Sequence, residues 1–372
     1  MTDEKQIKEI HEKAIVFDAH AHPILHNRRS IENLDLGIDN TNSQIDFVKM
    51  KKGGVNAVFY PLPILIDDKE KPSKMVISSF KLIKEAIGKY PELAEIAYSI
   101  EDLKRLVMQD KRAIFLNIKY PNILDNRIDL LDEYKNFGVS SIVMTEDMIT
   151  TKNDDAGLEA ELTDFSKEVV KRMNELGIII DISHLPDNLQ KKVMNLSKYP
   201  IVASHSNVRG ICNLPRNIPD DIIKMIASKE GAIMVNFYPG LVNHDFHLAR
   251  TKAIDQYREK EKELKGKYGD NEQQIEKELE DLWIKLKPET VKYEELIDHI
   301  DYIVKLVGPD YVGIGSDYGG THQLKGLETA VNYQNITAEL LKRGYNKEDI
   351  IKILGGNLIR IVEQVQSTTT KN

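Results

Sequence analysis

AIVFDAHAHP, residues 14–23, is the stretch from which the fold is read. A short apolar run ends in Asp18, His20 and His22 at alternating positions. Side chains at i, i+2 and i+4 of a strand share one face, so the three are expected to leave the strand end in one direction. Neutral imidazole is the commonest nitrogen ligand for Zn²⁺ and similar cations. Taken alone, a His-x-His near a terminus reads more simply as two surface histidines. The rest of the chain changes that reading. An apolar run ending in His or Asp recurs at least three more times.

After AIVFD come VNAVFYPLP (55–63), AIFLNIKYP (113–121), VSSIVMTED (139–147) and GIIIDISH (177–184). PIVASH (200–205), GAIMVNFYP (231–239) and YVGIGSD (311–317) complete eight runs. Nearly continuous β-branched residues fit strands buried on both faces, as in an all-parallel sheet. Amphipathic helical patterns lie between them, such as 78–90, 162–176 and 219–230, and Gly177 is placed to stop the second of these. Eight βα units predict a (β/α)₈ TIM barrel, with a doubly wound open sheet as the alternative. No glycine-rich dinucleotide fingerprint follows the first run, which counts against the open sheet.

One irregularity interrupts the alternation. Residues 244–292 are highly charged and broken at GKYGDNE, which predicts two exposed helices joined by a turn. A solvated face is the plainer reading of such a charge run; a lid, or an oligomer contact through Trp283, is the sharper one. With no repeat and no low-complexity linker, residues 1–372 read as a single domain carrying a helical insertion.

A 372-residue chain with 41% hydrophobic and 30% charged residues has the composition of a globular enzyme. Its net charge of −8 argues against nucleic acid as a partner. The single cysteine, Cys212, excludes an internal disulfide framework and any cysteine-rich metal site, and reads as a small buried apolar residue. The charged N-terminal stretch lacks the pattern of a signal peptide, and no apolar run is long enough to cross a bilayer. A cytoplasmic protein without a membrane partner is the expectation.

Barrel active sites sit where strands end. The first run ends in His20 and His22, the fourth in Glu146 and Asp147, the fifth in His184, the sixth in His205 and the eighth in Asp317. A buried core histidine is the bland reading of any one of these. Four of the ten histidines after apolar runs, with an Asp on the same mouth, describe a catalytic metal site with open positions.

GIIIDISHLPD (177–187) and YPIVASHSNVRGICNLPRNIPDD (199–221) closely resemble the membrane dipeptidase (renal dipeptidase) family, as do GAIMVNFYPG (231–240), YVGIGSDYGG (311–320) and ILGGNLIR (353–360). The resemblance covers nearly the whole chain. It implies a metal-dependent barrel of the amidohydrolase superfamily that cleaves dipeptides, usually with two zinc ions; Mn²⁺, Fe²⁺ or Co²⁺ also suit such ligands. By that resemblance His20, His184 and His205 are ligands and Asp317 is the acid/base residue. Arg216 binds the free carboxylate of the substrate, a role that suits a planar, permanently charged guanidinium. Tyr238 and Asn217 are expected to line the substrate. The hydroxyls of Ser204 and Ser206 could hold His205, although backbone capping is the simpler expectation. A homodimer is compatible with the resemblance, and the sequence does not fix it.

Three positions depart from the family. His22 stands where the family has Asp. The third run offers only Asn117 and Lys119 where the family carries a Glu that bridges two metals. Thr145 is followed by Glu146 where the family has His. The wider superfamily commonly pairs His-x-His on strand 1 with a carboxylate or carboxylated Lys on strand 4. Glu146 is therefore the expected replacement bridge, serving as metal ligand and catalytic residue, with His22 completing the ligand set. A single metal with Glu146 as acid/base or substrate contact is the second expectation. Carboxylation of Lys119 is the third, since a strand-end lysine is usually an ordinary surface charge. Two other functions stay open: a different amidohydrolase reaction on an amide, lactam or lactone or by deamination, and an inactive barrel that serves as a binding subunit.

Overall fold

The structure, a computed structural model, describes residues 4–22, 35–41, 43–62, 71–119, 123–145, 161–269 and 271–367. Glu146 and Asp147 lie outside the described residues. In chain order the strands are β1 (Val16–Asp18), β2 (Val55–Pro61), β3 (Ala94–Ile96), β4 (Arg112–Ile118), β5 (Val139–Val143), β6 (Ile179–Asp181), β7 (Val202–Ala203), β8 (Ala232–Val235) and β9 (Val312–Ile314). All pair in parallel, and β1-β2-β4-β5-β6-β7-β8-β9 are successive neighbours. The ends of that path meet: Ala19 N–H donates to Ile314 O at 2.9 Å and Asp317 N–H to His20 O at 2.8 Å. The eight predicted runs thus form a (β/α)₈ barrel. β3 is the strand that the sequence pattern did not single out. It pairs with residues 112–114 of β4, while β5 pairs with residues 116–118 of the same strand.

Alternation within the strands separates two apolar layers. Phe17, Ala57, Phe59, Ala113, Phe115, Ile179, Val202, Ala232 and Met234 share the interior, where the rings of Phe17, Phe59 and Phe115 lie with centroids 5.0–5.5 Å apart. Val16, Val58, Tyr60, Ile114, Leu116, Ile142, Ile180, Ile233 and Val235 face the surrounding helices. Both faces are therefore apolar, which explains the nearly continuous hydrophobic runs. Gly177, at φ 62°, caps the helix Asp164–Leu176 as expected.

The insertion is a pair of helices, His244–Tyr268 and Glu272–Leu286. Leu264, Ile275 and Leu279 form its small core, and Trp283 meets Tyr257 edge-on at 5.8 Å. The hairpin is not wholly solvated. Near its start Asn243 donates to Glu295 at 2.7 Å, and Arg250 reaches the Tyr238 hydroxyl at 3.0 Å. Cys212 is buried and unpaired by disulfide. Among the described residues no helix is long and apolar enough to cross a membrane.

Candidate active site

β1 stops at Asp18 because that carboxylate turns back on the chain. It accepts His20 N–H at 3.1 Å, Ser316 N–H at 2.9 Å and Ser316 Oγ at 2.5 Å from just beyond β9, and the hydroxyl of Tyr333. The alternation expected over Asp18, His20 and His22 is therefore broken. Asp18 ties β1 to β9, while His20 and His22 converge with Nε2 atoms 3.2 Å apart. β6 ends in a similar turn: Asp181 accepts Ser183 N–H at 2.9 Å, and the chain then delivers His184. Both strand ends use an Asx turn to release the next histidine from the sheet.

Asp317 completes the first group. Its Oδ1 faces His22 Nε2 at 3.3 Å and His20 Nε2 at 3.9 Å, and has no hydrogen-bond partner of good geometry. Its Oδ2 accepts from Asn236 Nδ2 at 3.1 Å. The residue holds a left-handed backbone, φ 57°, a conformation uncommon outside Gly, Asn and Asp and one that marks functional sites. Glycines allow two close approaches here, one of β9 to the Ser204 backbone and one beside the carboxylate. A Cβ on Gly315 would lie 1.8 Å from Ser204 O, and one on Gly320 would lie 2.5 Å from Asp317 Oδ1.

These three groups fit a divalent cation. Ligand bonds of roughly 2.0–2.2 Å allow donor atoms up to about 4.2 Å apart across a shared ion. The separations of 3.2, 3.3 and 3.9 Å all fall inside that limit. Burial pushes His20 and His205 well below the usual imidazole range, so both rings are neutral and available as donors. Burial works to raise the Asp317 carboxyl, yet the Lys119 charge and the adjacent His22 and His20 imidazoles hold it well below the usual carboxylate range.

His184 and His205 form a second pair, with Nε2 atoms 2.9 Å apart, and the His205 ring stacks on His20 at 3.9 Å. His184 lies on the wall of the mouth, reached by solvent on one side; surrounding protein, with the Arg216 and Lys119 charges, lowers its pKa. Ser204 does more than cap backbone. Its Oγ meets His205 Nδ1 at 2.7 Å and donates to Asp181, which fixes the imidazole with Nε2 toward the mouth. Asp181 also accepts Ser183 Oγ at 2.6 Å and Ser204 N–H at 3.1 Å. Its carboxylate, though near His20 and His205, is thus already engaged by four donors.

Arg216 adjoins this group at His205. Its guanidinium donates to Ser206 Oγ at 2.9 Å and His205 O at 3.0 Å, which sets its plane and leaves further N–H groups of its five for a ligand. Burial brings its pKa down to about 10, so it remains charged at neutral pH. Tyr238, held through its N–H by Asn236 Oδ1 at 2.7 Å, stands at the end of β8. Asn217 braces the loop instead: its Nδ2 donates to Cys212 O at 2.8 Å and Leu241 O at 2.9 Å, so its amide hydrogens are taken by carbonyls.

Two residues carry more than the sequence reading gave them. Lys119 is no surface charge; it turns into the mouth, with Nζ 3.4 Å from His20 Nε2. Asn117, the other polar candidate of that run, donates to Ser141. Asn236 was missed altogether. Its signal was positional, a polar residue directly after the apolar run of GAIMVN.

Comparison with known proteins adds an independent finding. The sequence model of the membrane dipeptidase family, peptidase family M19, matches residues 4–372. The dipeptidase aclJ of Aspergillus oryzae is 26% identical over 347 residues, 88% of this chain and 71% of that protein. The chain spans as little as 59% of other curated dipeptidases that it matches. Among solved structures, a probable dipeptidase, PvdM of Pseudomonas aeruginosa, superposes with a TM-score of 0.78 at 26% identity over 98% of both chains. A metallopeptidase of Rhodobacter sphaeroides, solved with a phosphinate mimic of the dipeptide L-Ala-D-Ala, shares the fold with a TM-score of 0.74 at 17% identity over 95% of this chain and 100% of that one.

Proposed function

The chain belongs to the membrane dipeptidase family, a family of metal-dependent hydrolases, and on that premise we propose that its barrel mouth hydrolyses small dipeptides with a free C-terminal carboxylate. The observation that carries the proposal is the meeting of His20 Nε2, His22 Nε2 and Asp317 Oδ1 within 3.9 Å of one another, with a guanidinium held at the neighbouring His205. His20, His22 and Asp317 would hold a divalent cation. When bound, that cation supplies Lewis-acid chemistry, acidifying a water and polarising the scissile carbonyl. The dipeptide mimic held by the Rhodobacter sphaeroides enzyme supports a substrate of this size.

The residues divide the remaining work. Arg216 binds the substrate carboxylate and so sets the distance from the C-terminus to the bond that is cut. Asn236 holds Asp317 Oδ2, which presents Oδ1 to the reacting atoms. Asp317 takes the proton of the attacking water and returns it to the leaving amine nitrogen. His184 and His205 face the same space and line the scissile amide, and Tyr238 closes the mouth from β8.

A matched pair of dipeptides tests the reading, one with a free and one with an amidated C-terminus. Cleavage of the free acid alone supports it. Equal cleavage of both would remove Arg216 from the proposal and favour the second reading, hydrolysis of another amide, lactam or lactone. That second reading draws on Lys119, which places an ammonium where a bridging carboxylate is expected.

A further inference from the structure

We infer that Arg250, carried by the helical insertion, is a positioning residue for the barrel mouth: it holds the Tyr238 hydroxyl as a hydrogen-bond donor toward bound substrate. The inference rests on the dipeptidase reading above and adds the insertion to the machinery of that site.

The chain around β8 sets the direction of Tyr238. Side chains alternate along an extended segment. Met234 lies in the barrel interior and Val235 among the surrounding helices. Asn236 then reaches Asp317 at the mouth. Phe237 packs on the opposite side, against Tyr318 and Tyr333, with ring centroids 5.6 and 5.9 Å away. The alternation returns Tyr238, extended at φ −64° and ψ 117° and half-buried, to the side of Asn236.

Three contacts give this residue one position. Asn236 Oδ1 accepts its N–H at 2.7 Å. Its ring lies on Gly240, where a Cβ would come within 2.7–2.9 Å of the ring edge and the hydroxyl, so a larger residue would displace the ring. Arg250, from the helix His244–Tyr268, donates through Nη1 to the hydroxyl at 3.0 Å, and its guanidinium carbon stands 5.6 Å from the ring centroid. That helix starts from a fixed point. Asn243 caps it by accepting Phe246 N–H at 2.8 Å and donates to Glu295 at 2.7 Å, and Arg250 follows about two turns later.

The bond from Arg250 has a direction. A guanidinium offers five N–H donors and no acceptor, so the Tyr238 oxygen accepts and its own proton is left to donate elsewhere. The positive charge polarises the phenol and makes that O–H the stronger donor. A dipeptide supplies the matching groups, because carbonyl and carboxylate oxygens accept and do not donate.

A double-mutant cycle tests the inference, with Arg250→Met, Tyr238→Phe and the two combined in the purified, metal-loaded full chain. The readouts are kcat/KM for a free-acid dipeptide, metal per chain and Tm. Each single variant is expected to lose roughly three- to ten-fold in kcat/KM at unchanged metal content, the scale of one hydrogen bond. The double variant is expected to be no slower than Tyr238→Phe, because without the hydroxyl Arg250 has nothing to orient. Losses that multiply, or metal lost from Arg250→Met, overturn the inference and leave the dipeptidase reading standing. A lowered Tm with the wild-type rate in Arg250→Met does the same, and makes Arg250 a brace of the insertion alone. No hydrolysis of dipeptides by metal-loaded wild type overturns both. If Arg250→Met does not fold, as circular dichroism would show, Arg250→Gln, whose side chain is too short to reach the hydroxyl, takes its place in the cycle.

Discussion

Asn236 Nδ2 donates to Asp317 Oδ2 at 3.1 Å, and this bond leaves Oδ1 alone to face His22 and His20. The same amide takes the Tyr238 N–H on its oxygen, so one side chain sets both the carboxylate and the end of β8. Asn236→Leu should weaken metal binding or kcat/KM by roughly 10- to 100-fold, the usual cost of losing a partner behind a ligand. Unchanged metal affinity and rate in a folded variant would show that Asp317 orients itself.

Arg216→Ala should lower kcat/KM for free-acid dipeptides by roughly 10- to 100-fold, since a hydrogen bond to a charged group contributes about 1.5–3 kcal/mol. Arg216→Lys should recover only part of that loss, because an ammonium cannot reproduce the planar fork. Full rescue by Lys would argue that charge alone, without geometry, selects the substrate.

Ser204→Ala cuts the link from Asp181 to His205. A neutral hydrogen bond is worth about 1 kcal/mol, so kcat should fall by roughly five-fold. If His20, His22 and Asp317 hold the cation without His205, metal content should not change. Loss of bound metal in this variant would make His205 a ligand.

Acid should destabilise the metal-free fold. His299 is buried, accepts Val208 N–H on Nδ1 at 3.0 Å, and is lowered by burial to about 4. Its stabilising contribution, about 3 kcal/mol at most, is present above the unfolded pKa near 6.5 and is lost as pH falls toward 4. His20 and His205, also lowered by burial, act in the same direction. Asp18 opposes them: burial raises it to about 6, so its contribution is complete below the unfolded value of 3.8 and lost as pH rises to 6. Three imidazoles outweigh one carboxyl, and Tm should fall between pH 7 and pH 5. A flat or rising Tm over that interval contradicts the assignment of neutral buried histidines.

The barrel was legible because both faces of its strands are apolar, so each strand except β3 left an uninterrupted run. β3, AEI at 94–96, is too short and too mixed to leave a signal. At the mouth, His20, His22 and Asp317 could be read from their place at strand ends. Asp18 could not, since its turn toward Ser316 depends on β9 lying alongside. Lys119 shows the same limit from the other side. Composition reads a strand-end lysine as solvated, whereas barrel closure brings its Nζ to His20. Trp283 stands in a charged run that reads as a solvated face, and its edge-on meeting with Tyr257 depends on the two helices of the insertion lying side by side.

The most direct test of the central claim is hydrolysis of a free-acid dipeptide panel by the same protein before chelation, after chelation, and after Zn²⁺ is restored. Activity that disappears with the metal and returns with it, on free-acid dipeptides and not on their amides, is the predicted result. Hydrolysis that survives in verified metal-free protein, or no hydrolysis by protein that demonstrably holds its cation, would contradict it.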